Sequence, residues 1–228
     1  MGFLVDGAAI LVGGIIGGIF SKRINIKNCY PLAIGIMLIS LVGLLENILS
    51  ISGERIVGEH TIIVTVALVL GSATGDLLRL EDRLHSLSNT KSGKMNGFID
   101  SVLFFGIGGL QISGPILFAL QGDSFQLILK GVIDFPFALM LGAAYGKRIS
   151  LSALVVVAAQ LLLAGLVLLA GNIFSESFVC QLCSLGYLIL FFSGFNMLGT
   201  EGKKIKNVNM LPGMLFIFLY NLVKEILL

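Results

Sequence analysis

The charges of this chain are gathered into clusters, and between them lie eight apolar stretches, at about residues 3–20, 31–49, 60–78, 98–119, 128–146, 150–171, 179–199 and 209–227. Each is close to the roughly 20 residues that carry a helix across the hydrocarbon of a bilayer. Helix is what such stretches must form there, because it satisfies its own backbone polar groups where no water is at hand. Of the 228 residues, 56% are hydrophobic and only 12% charged, about half the charge of a soluble domain. The stretches use up nearly the whole chain. The expected fold is therefore all-α, a polytopic transmembrane helical bundle of about eight spans, with 1–228 forming a single integral membrane domain whose first partner is the lipid bilayer.

The loops between the spans alternate in charge. SKRINIK (21–27), the stretch 79–97, KRIS (147–150) and TEGKKIKN (200–207) hold twelve of the fifteen Lys and Arg, whereas ERIVGEH (54–60), QGDS (121–124) and NIFSES (172–177) hold Arg55 alone. Lys130 and Lys224 fall near span ends on that second side. Basic loops stay cytoplasmic, which predicts that both termini face outward. This rule accounts for the basic residues without any nucleic-acid partner. MGFLVD (1–6) has no basic residue and no small-x-small cleavage pattern follows, so the first segment is expected to remain a helix. Asp6 stands where a myristoylation signal has Ser or Thr.

Only 79–97, RLEDRLHSLSNTKSGKMNG, is a loop of any size. Its first half, with leucines among charges, reads as an amphipathic continuation of the third helix on the inner membrane surface. Its second half, NTKSGKMNG, reads as a flexible linker.

Glycine patterns recur. ALVLGSATGDLLRL (67–80) and ALMLGAAYGKRISL (138–151) agree at seven of fourteen positions, including Gly71/Gly142 and Gly75/Gly146, and the first span carries GGIIGG (13–18). Glycines four apart let helices approach closely in lipid, either inside the bundle or between copies in a homo-oligomer. Gly35 and Gly43 on the second span match the spacing of Gly186 and Gly194 on the seventh. The sequence thus allows spans 1–3 and 6–8 to be inverted copies flanking spans 4 and 5.

Ionisable groups inside a bilayer cost several kcal/mol, about 2.5–3.5 on insertion scales, so each one kept there is a functional candidate. Asp134 lies in KGVIDFPFALML (130–141), about a turn and a half inside span 5, with Pro136 two residues on. Two readings stay open: a helix disturbed by Pro136 beside the carboxylate, or an interfacial aspartate capping a helix that begins at Phe135. In FGIGGLQISGPI (105–116), Gly106, Gly108, Gly109, Gly114 and Pro115 make a poor helix centre and predict a backbone break. Broken backbone at that depth has to be buried in protein or line a wet cavity, and the ends it exposes bind ions. Gln111 and Ser113 lie roughly 20 Å along span 4 at 1.5 Å per residue, level with Asp134. Gln160 falls near the middle of span 6, and Glu46 in the last turn of span 2. These five are the candidate substrate ligands.

Asp100 and Asp76 lie at inner span ends, where capping or pairing with Arg79 explains them. No Lys or Arg is expected at mid-depth, which disfavours a multiply charged anion. His60 and His85 fall at opposite faces, against an imidazole metal site. Cys180 and Cys183 (CQLC) read as a redox pair or, more simply, as two small residues a turn apart. No nucleophile and base share a depth, so neither an enzyme nor a cofactor is expected.

Several segments together carry a family likeness: the glycine-rich first helix ending in SKR, LGSATGDLLRLEDRL (70–84), GFIDSVLFFGIGGLQISGPI (97–116), the GD at 122–123, KGVIDFPFALMLG (130–142) and NMLPG (209–213). In order and spacing the chain resembles a family of uncharacterised bacterial membrane proteins, the YqgA/YdfK type known as domain of unknown function 554. The resemblance covers nearly the whole chain and implies a bacterial inner-membrane protein, with no established substrate. It also implies that Gln111, whose position in relatives is often small or apolar, matters less than the glycines, Asp134 and Gln160. The reading that follows is a transporter or channel for a small solute or ion, its site at the break in span 4 beside spans 5 and 6. The alternative is a non-transporting scaffold that oligomerises through its glycine faces.

Overall fold

The computed structural model describes residues 1–23, 30–49, 54–88, 93–106, 109–170, 175–198 and 205–227. Among the described residues the chain is helical, with no strand. The helices are α1 (Gly2–Ile19), α2 (Tyr30–Leu49), α3 (Glu54–Leu77), α4 (Leu80–Ser88), α5 (Gly93–Gly106), α6 (Gly109–Gln121), α7 (Phe125–Tyr145), α8 (Ser152–Ala170), α9 (Glu176–Met197) and α10 (Pro212–Leu227). Short 3-10 turns at Lys147–Leu151 and Asn207–Met210 precede α8 and α10. Among the described residues, six stretches are long and apolar enough to cross a membrane, on α1, α2, α3, α7, α8 (with the turn before it) and α9. The expected fourth span is the pair α5 and α6, and the eighth is α10, whose 16 residues reach about 24 Å.

Helix ends follow local chemistry. Asp123 accepts a hydrogen bond from the Phe125 N–H at 2.8 Å to start α7, and Ser175 caps α9 through the Phe178 N–H at 3.2 Å. α10 opens on Pro212, whose missing N–H costs nothing in a first turn. Two expectations need correcting. The amphipathic stretch does not continue the third helix: Arg79, at φ 51°, separates α3 from α4. The expected linker is helical from Gly93 on, and its residues 89–92 lie outside the described residues.

The helices fall into two compact units, each assembled from distant parts of the chain. The first, Met1–Leu32 with Leu84–Gly171, holds α1, α5, α6, α7 and α8. Its spine is α1 lying parallel to α7 along their whole length. A methyl added at Gly13 would stand 2.6 Å from the Phe135 carbonyl oxygen, Gly17 backs onto Leu139, and Gly142 backs onto Gly14. At one end Phe3, Leu127 and Ala164 close the core against Phe118, the two phenyl rings meeting edge-on at 4.8 Å.

The second unit, Ala33–Arg83 with Asn172–Leu228, holds most of α2 together with α3, α9 and α10. Here α3 lies against the start of α10, Gly71 on Gly213 and Gly75 on Asn209, while Gly43 of α2 faces the Tyr187 ring of α9. Residues 205–209 are tied down from two sides. Asn196 exchanges two hydrogen bonds with the Ile205 backbone, at 2.7 and 2.9 Å. Glu81 accepts from the Val208 N–H at 3.2 Å, and Asn209 accepts from the Glu81 N–H at 3.0 Å. Lys206 pairs with Asp82 at 2.9 Å, which holds its ammonium above the ordinary lysine range. Asp76 faces Asn209 and Lys206. The units group spans 1, 4, 5 and 6 together and spans 2, 3, 7 and 8 together, so the matching members of the expected copies, spans 1 and 6, 2 and 7, and 3 and 8, fall in the same unit.

Candidate functional site

The polar side chains of the first unit meet on four helices. Gly131 places the α7 backbone against that of α1 at Asp6, so that side chains flanking this crossing reach each other. Lys130, one residue before that glycine, donates to the Asp6 carboxylate at 2.9 Å and also to the Asp134 carboxylate, one turn further along its own helix. Gln160 of α8 donates through Nε2 to Asp6 Oδ2 at 2.7 Å and to Gln111 Oε1 of α6 at 2.9 Å. Gln111 in turn donates to the Val156 carbonyl at 3.2 Å. Both acceptors of Gln160 are oxygens, which fixes the orientation of its amide.

Asp6 and Gln160 are completely buried, and Gln111, Lys130 and Asp134 are 4%, 4% and 6% exposed. Two carboxylates share one ammonium, so the ionised cluster carries one excess negative charge. It is also short of donors. Among the described residues, Asp6 Oδ1 and Gln160 Oε1 are buried with no hydrogen-bond partner. Each such oxygen forfeits its hydration without a replacement.

Both prolines lie inside helices beside this cluster. Pro115 has no N–H to offer the Gln111 carbonyl four residues back, and Pro136 has none for Val132. This answers the question left open at Asp134. α7 starts at Phe125 and runs through Pro136, so Asp134 is an interior residue, not a cap. Likewise α6 runs through Gly114 and Pro115, which do not break it. The end of α5 at Gly106 and the start of α6 at Gly109 flank the expected break, whose Gly108 lies outside the described residues.

The remaining candidates go elsewhere. Ser113, buried, donates to Gln126 Oε1 at 2.6 Å, a separate buried pair in the same unit. Glu46 is exposed on α2, in the second unit. Asp6, Lys130 and Gln126 were not expected. Lys130 was assigned to a span end, yet it is buried, and a basic residue does sit among the spans. The Lys130/Asp134 spacing of four was its visible signal. For Asp6 the signal was a carboxylate in the second turn of an apolar span.

The second unit has its own buried polar contacts. His60 Nε2 lies 3.0 Å from Ser184 Oγ, and Asn221 donates to Gln181 Oε1 at 2.7 Å. Cys180 and Cys183 sit a turn apart on α9 with no disulfide between them. The side chains of His85 and Asp100 lie outside the described ones.

Over residues 1–222 the sequence matches the family described as "Protein of unknown function (DUF554)". It is 30% identical to the uncharacterized membrane protein YdfK of Bacillus subtilis (strain 168), an alignment covering 94% of this chain and 92% of that protein. It is 25% identical to the uncharacterized protein YqgA of Escherichia coli (strain K12), covering 94% of this chain and 93% of that one. No solved structure matches. Helix content, apolar spans and these relatives agree on a multi-pass membrane protein.

Proposed function

We propose, on the premise that this chain belongs to the DUF554 family, that it is a transporter moving a small solute or ion through the first unit. The observation that carries this reading is the cluster of Asp6, Lys130, Asp134, Gln160 and Gln111. Three ionisable groups buried among apolar spans are expensive to keep, and three hydrophobic residues of similar volume would serve packing as well. A structural ion pair would also be charge-balanced and fully hydrogen-bonded. This one is neither, which is what a site awaiting a ligand requires. In this reading Asp134 and Asp6 are charged ligands or proton carriers, Gln160 and Gln111 are neutral ligands, and the carbonyls released by Pro115 and Pro136 give the helices room to bend. The α5/α6 junction takes the role assigned to the span 4 break.

The charge pattern of the loops supports a bacterial inner-membrane protein with both termini outside. The glycines on which a scaffold role would rest are largely occupied within each unit: Gly13 and Gly17 against α7, Gly71 and Gly75 against the start of α10. That favours transport over a homo-oligomer built through those faces. The test is flux. Purified protein in proteoliposomes, challenged with concentration jumps of small ions and solutes, is expected to give a protein-dependent current or uptake that Asp134→Asn abolishes while expression and unfolding temperature stay near wild type. Unchanged flux in Asp134→Asn would remove this carboxylate from the mechanism.

A further inference from the structure

The excess negative charge and the unmatched oxygens at the α1–α7–α8 junction specify what the site takes. We infer that the cluster binds one monovalent cation. The inference rests on the transport reading above and names its substrate class.

Consider the charge. Asp6 and Asp134 contribute two negative charges and Lys130 one positive, leaving one negative charge in a place no water shields. Burial without a counter-charge is so costly that a group neutralises instead. A single monovalent cation brings the cluster to zero, whereas a divalent ion would leave one positive charge.

The ligand atoms fit this choice. The unmatched groups are oxygens, Asp6 Oδ1 and Gln160 Oε1, both completely buried. They belong to two side chains hydrogen-bonded to each other at 2.7 Å, so they lie on the same small patch of the site. Carboxylate, amide and carbonyl oxygens are hard ligands suited to ions without d-electron preferences. Among the described residues there is no group of three or more His, Cys, Asp and Glu that could hold a metal ion. A two-carboxylate site with amide oxygens suits a singly charged ion. Lys130 is the fixed cation of the arrangement, pairing with both carboxylates.

The experiment is binding and flux on the same wild-type preparation. Purified protein is titrated with NaCl, LiCl and KCl, against choline chloride at equal ionic strength, while unfolding temperature is followed. At least one alkali ion should raise the unfolding temperature saturably, and choline should not. Asp6→Asn, or Gln160→Leu should the first fail to fold, should abolish the response. No alkali response in the wild type, or stabilisation by MgCl2 or CaCl2 alone, would overturn the inference. Proteoliposomes with an alkali gradient then separate the two readings. Alkali flux supports both. Binding with no flux keeps the site and discards transport. Flux of another solute with no alkali binding keeps transport and discards the cation.

Discussion

Lys130 stands between two carboxylates where none of the three is more than 6% exposed, so the cost of burying each one depends on the other two. Removing one member of a buried ion pair leaves an uncompensated charge and costs about 3–5 kcal/mol. Lys130→Met should lower stability by about that much, read as unfolding of the detergent-solubilised protein. In an Asp6→Asn background the same change should cost less, because one of the two carboxylates is already neutral. A double-mutant cycle measures the difference directly, and additive losses would show that Asp6 and Lys130 do not share the interaction drawn here. The sequence revealed only part of this cluster. Asp134, Gln111 and Gln160 stood out because depth along a span can be counted. Asp6 and Lys130 did not, because linear counting put them near span ends. What brings them into the site is α1 lying beside α7, a contact between residues 124 positions apart that no local pattern encodes.

At the scale of helices, the glycines divide into those with a neighbour and those without. Gly13 faces the Phe135 carbonyl and the Ala138 side chain, whereas Gly35, on α2, and Gly165, on α8, have nothing within 4 Å of an added methyl group. In a helix interior, alanine is better than glycine by roughly 0.5–1 kcal/mol. Gly35→Ala and Gly165→Ala should therefore be neutral or raise the unfolding temperature slightly. Gly13→Ala must push apart two backbones that nothing else separates, and it should lower that temperature and weaken any function that depends on the Asp6–Lys130 contact. Equal effects at all three positions would mean that the α1–α7 seam does not set the spacing. The repeated LGxxxG pattern announced close packing at Gly71, Gly75 and Gly142 but not at Gly146, which has nothing within 4 Å of an added methyl group. It did not announce the partners, since Gly142 meets α1, Gly71 meets the first turn of α10 and Gly75 meets the turn before it. Pro136 misled for a related reason. A proline predicts a helix boundary, yet α7 continues through it with packing from α1 holding both halves.

For the whole molecule, the open quantity is the number of crossings, and it turns on α5 and α6. Six stretches are long enough to span by themselves. α10 adds a seventh crossing if its 16 residues suffice with the turn at 207–210. If α5 and α6 together cross as well, the total is even and both termini share a side, as the loop charges require. If instead α5 and α6 enter and return on the same side, the total is odd and the termini lie opposite each other. Three exposed positions, Ser86 before α5, Gln121 at the end of α6 and Arg148 after α7, distinguish the cases. Each is changed to cysteine in a protein whose Cys29, Cys180 and Cys183 have been replaced. The variants are then treated in intact cells with a maleimide that cannot cross membranes. A full crossing predicts labelling at Gln121→Cys and protection at Ser86→Cys and Arg148→Cys until the cells are opened. A re-entrant pair places Ser86 and Gln121 on one side, so both would label or both would be protected, and Arg148 would then behave oppositely to both because α7 still separates it from Gln121. The basic residues before α5 and between α7 and α8 make the first pattern the expected one, since Lys147 and Arg148 and the Lys and Arg of 79–94 then share the cytoplasmic face.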